Sequence, residues 1–218
     1  MGTVLASTII TRARGILSDA DSTSYTWSDT DLLAYLNDGQ RNIVFMKPDA
    51  YIKNESVVLV AGTKQAVPSD GLGLIKITRN MGTNGTTPGK PVAFVLMEQV
   101  DFLIPDFHTH TACASLDLYT YDKDDPLRYY VYPPQPTSSF GYAEIVYPAL
   151  PADVAASAAI TLGDVYQTAL LNYILYRAFS REIDPISSSS AGAYYNLYVS
   201  ELGRKDLAED QHNASIKG

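Results

Sequence analysis

The residues with the clearest chemical potential lie in short loops near the middle of the chain. The run 82–91, GTNGTTPGKP, has glycines and a lysine in the manner of a phosphate-binding loop. That motif needs Gly where this chain has Asn84, and Ser or Thr where it has Pro91, so no hydroxyl follows the lysine to bind magnesium. Pro91 also precedes a predicted strand rather than a helix. The run therefore predicts a glycine-rich turn.

Two histidines could offer ligands to a metal ion. His108 and His110 follow Asp106 and precede Cys113. Catalytic zinc takes three protein ligands, and the remaining histidine, His212, lies far away near the end of the chain. We therefore expect loop histidines and no bound metal.

Acidic groups supply the remaining candidates for chemistry. The run 122–125, DKDD, lacks the ligand spacing and the glycine of a calcium loop, and predicts a solvated turn. Glu98 and Asp101 are spaced as an acid and base pair could be, but one face of a short amphipathic helix explains them equally well. The chain has no Gly-x-Ser-x-Gly elbow, and Cys113 has no plausible base beside it. The sequence predicts no catalytic residue, no cofactor and no enzymatic activity.

Composition limits the class of protein. A net charge of −8 and a pI near 4.7 argue against a chain whose main task is to grip nucleic acid, although DNA could slide past an acidic wall. Sixteen tyrosines fit either protein interfaces or strands, and both explanations stay open. A single cysteine excludes an internal disulfide. Without a long apolar run or an apolar leader, we expect a soluble protein made in the cytoplasm.

Capping chemistry predicts two helix starts. Ser28 is a good N-cap, Asp31 stands at N3, and Trp27 and Leu32 occupy the two positions of a hydrophobic staple. This helix should end before Pro48. The same pattern predicts a second start at Ile160, Thr161, Asp164 and Val165.

The second of these helices, at about 162–181, is apolar over most of its circumference. Such a helix must be buried by more than one neighbour, and we expect one neighbour to be another subunit. Further helices are predicted at about 4–18 and after Pro185, the latter ending at Gly203. The tyrosines that we expect at the interface between subunits are Tyr166, Tyr173 and Tyr198.

Residues 54–152 have a different pattern. Short runs rich in β-branched and aromatic residues alternate with Gly, Pro, Asn and Asp, and predict strands at 56–60, 74–78, 92–96, 116–121, 128–132 and 143–147. The proline-rich stretch between the last two runs predicts a long hairpin loop. The predicted fold class is α+β. N- and C-terminal helices (1–53 and 153–203) form a bundle, an inserted β-rich domain occupies 54–152, and 204–218 is an extended C-terminal arm.

A series of short segments keeps its order along almost the whole chain. The segments are Ile10–Arg14, Trp27–Asp29, Leu33–Gln40, Lys47–Tyr51, Ala61–Gln65, Thr78–Gly82, Tyr130–Pro134, Asp164–Tyr166, Leu175–Ala178 and Gly203–Asp206. No single segment is diagnostic. As an ordered set they resemble the head-to-tail adaptor, or connector, family of tailed bacteriophages, and are similar to the tail tubular or adaptor ring protein of short-tailed phages.

The resemblance implies a structural protein of the virion, assembled in the host cytoplasm and located at the head-tail interface. Such subunits form a ring, commonly of twelve, on the outer end of the portal protein, and join the capsid to the tail. They seat the tail nozzle and, in some cases, fibres or spikes, while viral DNA passes through the lumen without sequence-specific binding. A C-terminal arm along the portal implies that Arg204, Lys205 and Asp206 face it.

Two other functions remain open. One is a stopper or tail-completion ring protein of the same particle, which shares the structural role and differs in its neighbours. The other is a carbohydrate- or receptor-binding module, which would present its aromatic residues on exposed loops.

Overall fold

A computed structural model of the chain describes the backbone of residues 2–19, 21, 25–181 and 185–216, and the side chains of these residues except those of 185 and 204–216. The chain divides into two compact units, a helical unit (1–50 with 151–218) and a β unit (51–150). The α+β class predicted from the sequence is confirmed.

The elements follow one another as α1 (Ala6–Ile16), α2 (Asp29–Met46), β1 (Ile52–Val58), β2 (Gly62–Ala66), β3 (Lys76–Asn80), β4 (Ala93–Phe94), α3 (Met97–Leu103), β5 (Leu118–Thr120), β6 (Arg128–Gln135), β7 (Tyr142–Pro148), α4 (Gln167–Phe179) and α5 (Pro185–Ile216). Short 3₁₀ helices occupy Pro48–Ala50 and Asp164–Tyr166.

The start of α2 is confirmed. The amide of Asp31 donates to the Ser28 hydroxyl at 3.0 Å, which satisfies one of the free N–H groups of the first turn. Trp27 and Leu32 are buried, as a hydrophobic staple requires.

The predicted start of α4, with Thr161 as the cap and Asp164 at N3, is wrong, because the Asp164 carboxylate binds elsewhere. Asp164 Oδ1 accepts the amides of Thr3 and Val4 at 2.7 and 3.0 Å, and its other oxygen accepts the Thr3 hydroxyl at 2.6 Å. A 3₁₀ turn precedes α4, which begins at Gln167 instead of at about 162. Val165 is 61% exposed and makes no staple. Asp164 holds the first residues of the chain against the helical unit.

A buried ionic cluster links the end of α1 to the residues at the start of α2. The Arg14 guanidinium contacts Asp19 at 2.6 Å, Asp29 at 2.7 Å and the Trp27 carbonyl oxygen at 2.9 Å. Asp19 also accepts the amides of Thr26 and Trp27. Because Arg14 and Asp19 are both buried, each needs these partners to offset the loss of water.

Two polar side chains of α2 hold the chain where it returns to the helical unit. Gln40 is fully buried, and its Oε1 accepts the amide of Thr161 at 2.7 Å. Asn37 exchanges two hydrogen bonds with the backbone of Val154. The loop before α4 is therefore positioned by specific acceptors on α2 as well as by apolar packing.

The last helix is longer than predicted. α5 continues through Gly203, and its backbone is helical over 204–216, where the sequence predicts an extended arm. An interior glycine costs only about 1 kcal/mol relative to alanine, and no proline follows Pro185 to end the helix.

The β unit contains two sheets with the strand orders β1-β7-β3 and β2-β6-β5-β4. β1 and β7 are antiparallel, and Ile52 is the register partner of Pro148. One hydrophobic core draws side chains from both sheets, among them Ile77, Tyr119, Tyr129, Val131, Ile145 and Tyr147.

The predicted hairpin between the last two strands is wrong. β6 and β7 belong to different sheets, so the segment between them crosses from one sheet to the other. β6 also continues through Pro133 and Pro134, which were expected to break it. Gly62 of β2 pairs with Gln135, whereas Lys64 pairs with Tyr130, so the β2–β6 ladder has a bulge between these pairs. The prolines lie in this bulge, where no N–H group is needed for the ladder.

Candidate assembly surfaces

The glycine-rich run 82–91 is closed by its own side chains. Asn84 Oδ1 accepts the amides of Thr86 and Thr87 at 3.0 and 3.2 Å. Gly82 and Gly85 have φ values of +66° and +74°, in the left-handed region that favours glycine. Amides that a phosphate would need are thus bonded to Asn84.

The loop histidines bond to separate partners. His110 Nδ1 lies 2.9 Å from Asp106 Oδ2, and this hydrogen bond lowers the pKa of Asp106. His108 Nδ1 lies 2.8 Å from the Thr63 hydroxyl. The His110 ring packs against Tyr132, with centroids 5.1 Å apart. Among the described residues, no group of three or more His, Cys, Asp or Glu side chains is placed to hold a metal ion.

The three tyrosines predicted at a subunit interface lie inside the helical unit. Tyr166, Tyr173 and Tyr198 are 3%, 7% and 0% exposed. The rings of Tyr173 and Tyr198 are 5.2 Å apart in an edge-to-face arrangement, which joins α4 to α5. The Tyr198 hydroxyl donates to Asn42 on α2 at 2.6 Å, and burial raises the pKa of Tyr198. Their direct contact with another subunit stays a prediction. Because these side chains are already removed from water within the chain, such a contact would bury little additional apolar surface.

The exposed face of α5 is the surface that the sequence analysis missed. Ile186 and Leu197 are 79% and 49% exposed, and with Ala193 they share one stripe of the helix at i, i+7 and i+11. Tyr195 and Val199 are also exposed, at 43% and 38%. The signal was present in the sequence, because no charged residue occurs between 186 and 200.

The side chains of Arg204, Lys205 and Asp206, predicted to face the portal, lie outside the described residues. In the part of the chain that the structure describes, no helix is both long enough and apolar enough to cross a bilayer.

The fold and these surfaces define an α+β protein with a helical unit that has a tyrosine-rich core, an exposed uncharged helix face and an inserted β unit. A family model described as SU10 adaptor protein matches residues 5–217. The chain therefore belongs to the SU10 adaptor protein family, and is a structural adaptor of bacteriophage particles. A search of curated proteins gave no match.

Family membership confirms the resemblance to phage adaptors and implies a non-enzymatic protein of the virion. The narrower resemblance, to the tail tubular ring of short-tailed phages, stays a prediction.

Proposed function

We propose that this chain is a head-to-tail adaptor subunit that forms a ring beneath the portal protein, joins the capsid to the tail and surrounds the DNA exit channel. The observation that carries the proposal is the uncharged, exposed face of α5 in a chain of this family. A free monomer gains nothing from holding Ile186 and Leu197 in water, whereas a subunit in a ring can bury them against its neighbour.

Energetics favour this face as part of the ring contact. Full burial of an aliphatic side chain contributes about 1.5–3 kcal/mol, so Ile186 and Leu197 together supply a few kcal/mol for each contact. With no charge between 186 and 200, association there removes no ion from water. Tyr173 and Tyr198 form a rigid layer behind the face and keep it in position.

The other parts of the proposal rest on membership of the adaptor family and on the net charge of the chain. The ring, commonly of twelve subunits, docks on the portal, where Arg204, Lys205 and Asp206 contribute from the C-terminal end of α5. The tail nozzle, and in some particles fibres or spikes, bind on the other side. The net charge of −8 supports a lumen that repels phosphates, so that DNA slides without sequence-specific binding.

Negative-stain electron microscopy of the purified chain, alone and mixed with the portal ring of its phage, tests the proposal. We expect rings, either in the free protein or capping the outer end of the portal. Monomers that leave the portal bare would contradict the adaptor function. A ring found only further down the tail would favour a stopper or tail-completion protein.

Two matched variants separate the α5 face from general surface effects. Leu197→Glu places a charge in the proposed contact and should reduce ring formation strongly. Val165→Glu changes an apolar residue outside α5 that is even more exposed than Leu197, and should leave the rings intact. If both variants form rings as well as the native chain does, the α5 face is not part of the ring contact.

A further inference from the structure

One edge of the four-stranded sheet in the β unit is basic. β2 forms this edge, and its Lys64 and Ala66 side chains point outward. With Arg128, the register partner of Ala66, and with Val60, which is 55% exposed, they line a shallow pocket of about 310 Å³. Within the part of the chain that the structure describes, no carboxylate lies close enough to Lys64 or Arg128 to form an ion pair. The edge is therefore a cationic surface with an apolar centre.

The end of the same sheet where β4 and β5 stop is acidic. The segment after β4 together with the turn after β5 encloses an open pocket of about 540 Å³. Its lining residues are Leu96, Met97, Glu98, Tyr121, Asp122, Lys123 and Asp124. Three carboxylates face one ammonium group, and none of the three is in an ion pair with another described side chain. Leu96 is 49% exposed and gives this pocket an apolar floor.

We propose that the basic edge of one copy docks into the acidic pocket of the next copy, so that the β units associate head to tail. The two surfaces are complementary in charge, and each has an apolar centre. One lies on the β2 side of the sheet and the other where β4 and β5 end, so a second copy beside the β2 edge can bring them together. A contact between two different surfaces is heterologous, and it closes into a ring when the rotation between copies permits. The inference rests on the proposed function and names a second ring contact, separate from α5.

Simpler explanations exist for each surface alone. A lysine on an edge strand prevents unwanted pairing with other strands, and an acidic turn is commonly solvated. Those explanations require only that a charge be present at each position. Docking requires that its sign be opposite to that of the partner surface. Reversal of sign thus separates the two explanations.

The experiment uses charge reversal in the full chain. One variant carries Lys64→Glu and Arg128→Glu, a second carries Glu98→Lys and Asp122→Lys, and a third combines all four changes. Each is mixed with the portal ring, and the number of subunits bound per portal is followed by native mass spectrometry and electron microscopy. We expect each two-site variant to need at least about tenfold more protein for a filled ring, because like charges then meet across the contact. The combined variant should return to within about threefold of the native chain, since its charges are again opposite.

Controls use charges outside both pockets. Lys76→Glu on β3 and Asp49→Lys in the helical unit change net charge in the same directions and should leave assembly unchanged. A second measurement needs no variant. Native assembly should weaken between 0.1 and 0.5 M salt, since screening shortens the Debye length from about 10 Å to about 4 Å.

The outcomes distinguish the inference from the function. If the native chain fills the portal ring and the reversed variants do so equally well, or if salt has no effect, the inference is overturned and the adaptor function stands. If the reversed variants form normal rings but lose the tail nozzle, the pockets bind a tail protein and the second copy is the wrong occupant. A native chain that neither forms rings nor binds the portal overturns both the function and the inference.

Discussion

Replacement of Arg14 by methionine should destabilise the helical unit more than any exposed substitution on α1. The Arg14 side chain is 8% exposed and the paired Asp19 side chain is 4% exposed. Methionine fills a similar length of space without charge, so Asp19 would remain buried with its carboxylate facing no cation. The two amides that Asp19 accepts would compensate only part of this loss.

The magnitude follows from the burial of the pair. Removing one partner of a buried ion pair costs about 3–5 kcal/mol. Because Asp19 keeps its two amide hydrogen bonds, we expect Arg14→Met to lower the free energy of unfolding by about 3 kcal/mol. The second pair, with Asp29, adds little because that carboxylate is 74% exposed. For a protein of this size the loss corresponds to roughly 6–12 °C in Tm.

The chain contains its own probe for this measurement. Trp27 is the single tryptophan, is buried, and accepts a hydrogen bond from Arg14 through its carbonyl oxygen. Urea unfolding followed by tryptophan fluorescence therefore reports on the helical unit, with Arg12→Met, at an exposed site, as a control expected to change stability by less than about 0.5 kcal/mol. A loss for Arg14→Met no larger than the control would refute the reasoning. So would a double variant, Arg14→Met with Asp19→Leu, that loses the full sum of the two single losses, because removal of both charges should relieve the penalty.

Three further predictions concern other parts of the chain. Gln40→Leu leaves the half-buried amide of Thr161 without its acceptor and should cost about 1–2 kcal/mol in urea unfolding of the helical unit. Gly141→Ala should destabilise the β unit, measured by its thermal unfolding, because the new Cβ would overlap the Ala114 carbonyl oxygen. Hydrogen bonds to the N-terminal segment lower the pKa of Asp164 below 3.8, so its stabilisation is present above about pH 4 and is lost as the pH falls through the lowered value. Asp164→Asn should therefore flatten the decline of stability with acid, measured by tryptophan fluorescence between pH 5 and about pH 2.

Each of these predictions has a comparison or an outcome that would contradict it. Gly15→Ala, at an exposed helical glycine with open space around it, should stabilise by up to about 1 kcal/mol, in contrast to Gly141→Ala. Unchanged stability of Gln40→Leu would mean that water or a shifted side chain satisfies the amide. An acid transition identical in native chain and Asp164→Asn would show that other carboxylates control it.

The sequence predicts well where one local interaction decides the structure. Ser28 has the residue type and spacing of an N-cap, and no other group in the described part of the chain competes for its hydroxyl, so α2 begins as expected. Asp164 has equally good spacing, but the amides of Thr3 and Val4 compete for the same carboxylate and α4 begins later. Local patterns contain no information about partners 160 residues away.

Long-range pairing explains the other differences. β2 has a weak strand sequence and forms because β6 offers it a partner, which no propensity within Gly62–Ala66 indicates. The candidate surfaces show the same limit. The pattern predicted subunit contacts at Tyr173 and Tyr198, which are buried in the helical unit, but it could not indicate that Leu197 is exposed.

The pairing of β1 with β7 has a consequence for how this protein can diversify. Ile52 and Pro148 are opposite each other in the register, so the chain enters and leaves the β unit through Cα positions only about 5 Å apart. When the first and last residues of an inserted unit are adjacent, the residues between them can become more or fewer, or be exchanged, without moving the two points of attachment. A foreign domain whose termini lie equally close together should therefore be accepted in place of residues 51–150.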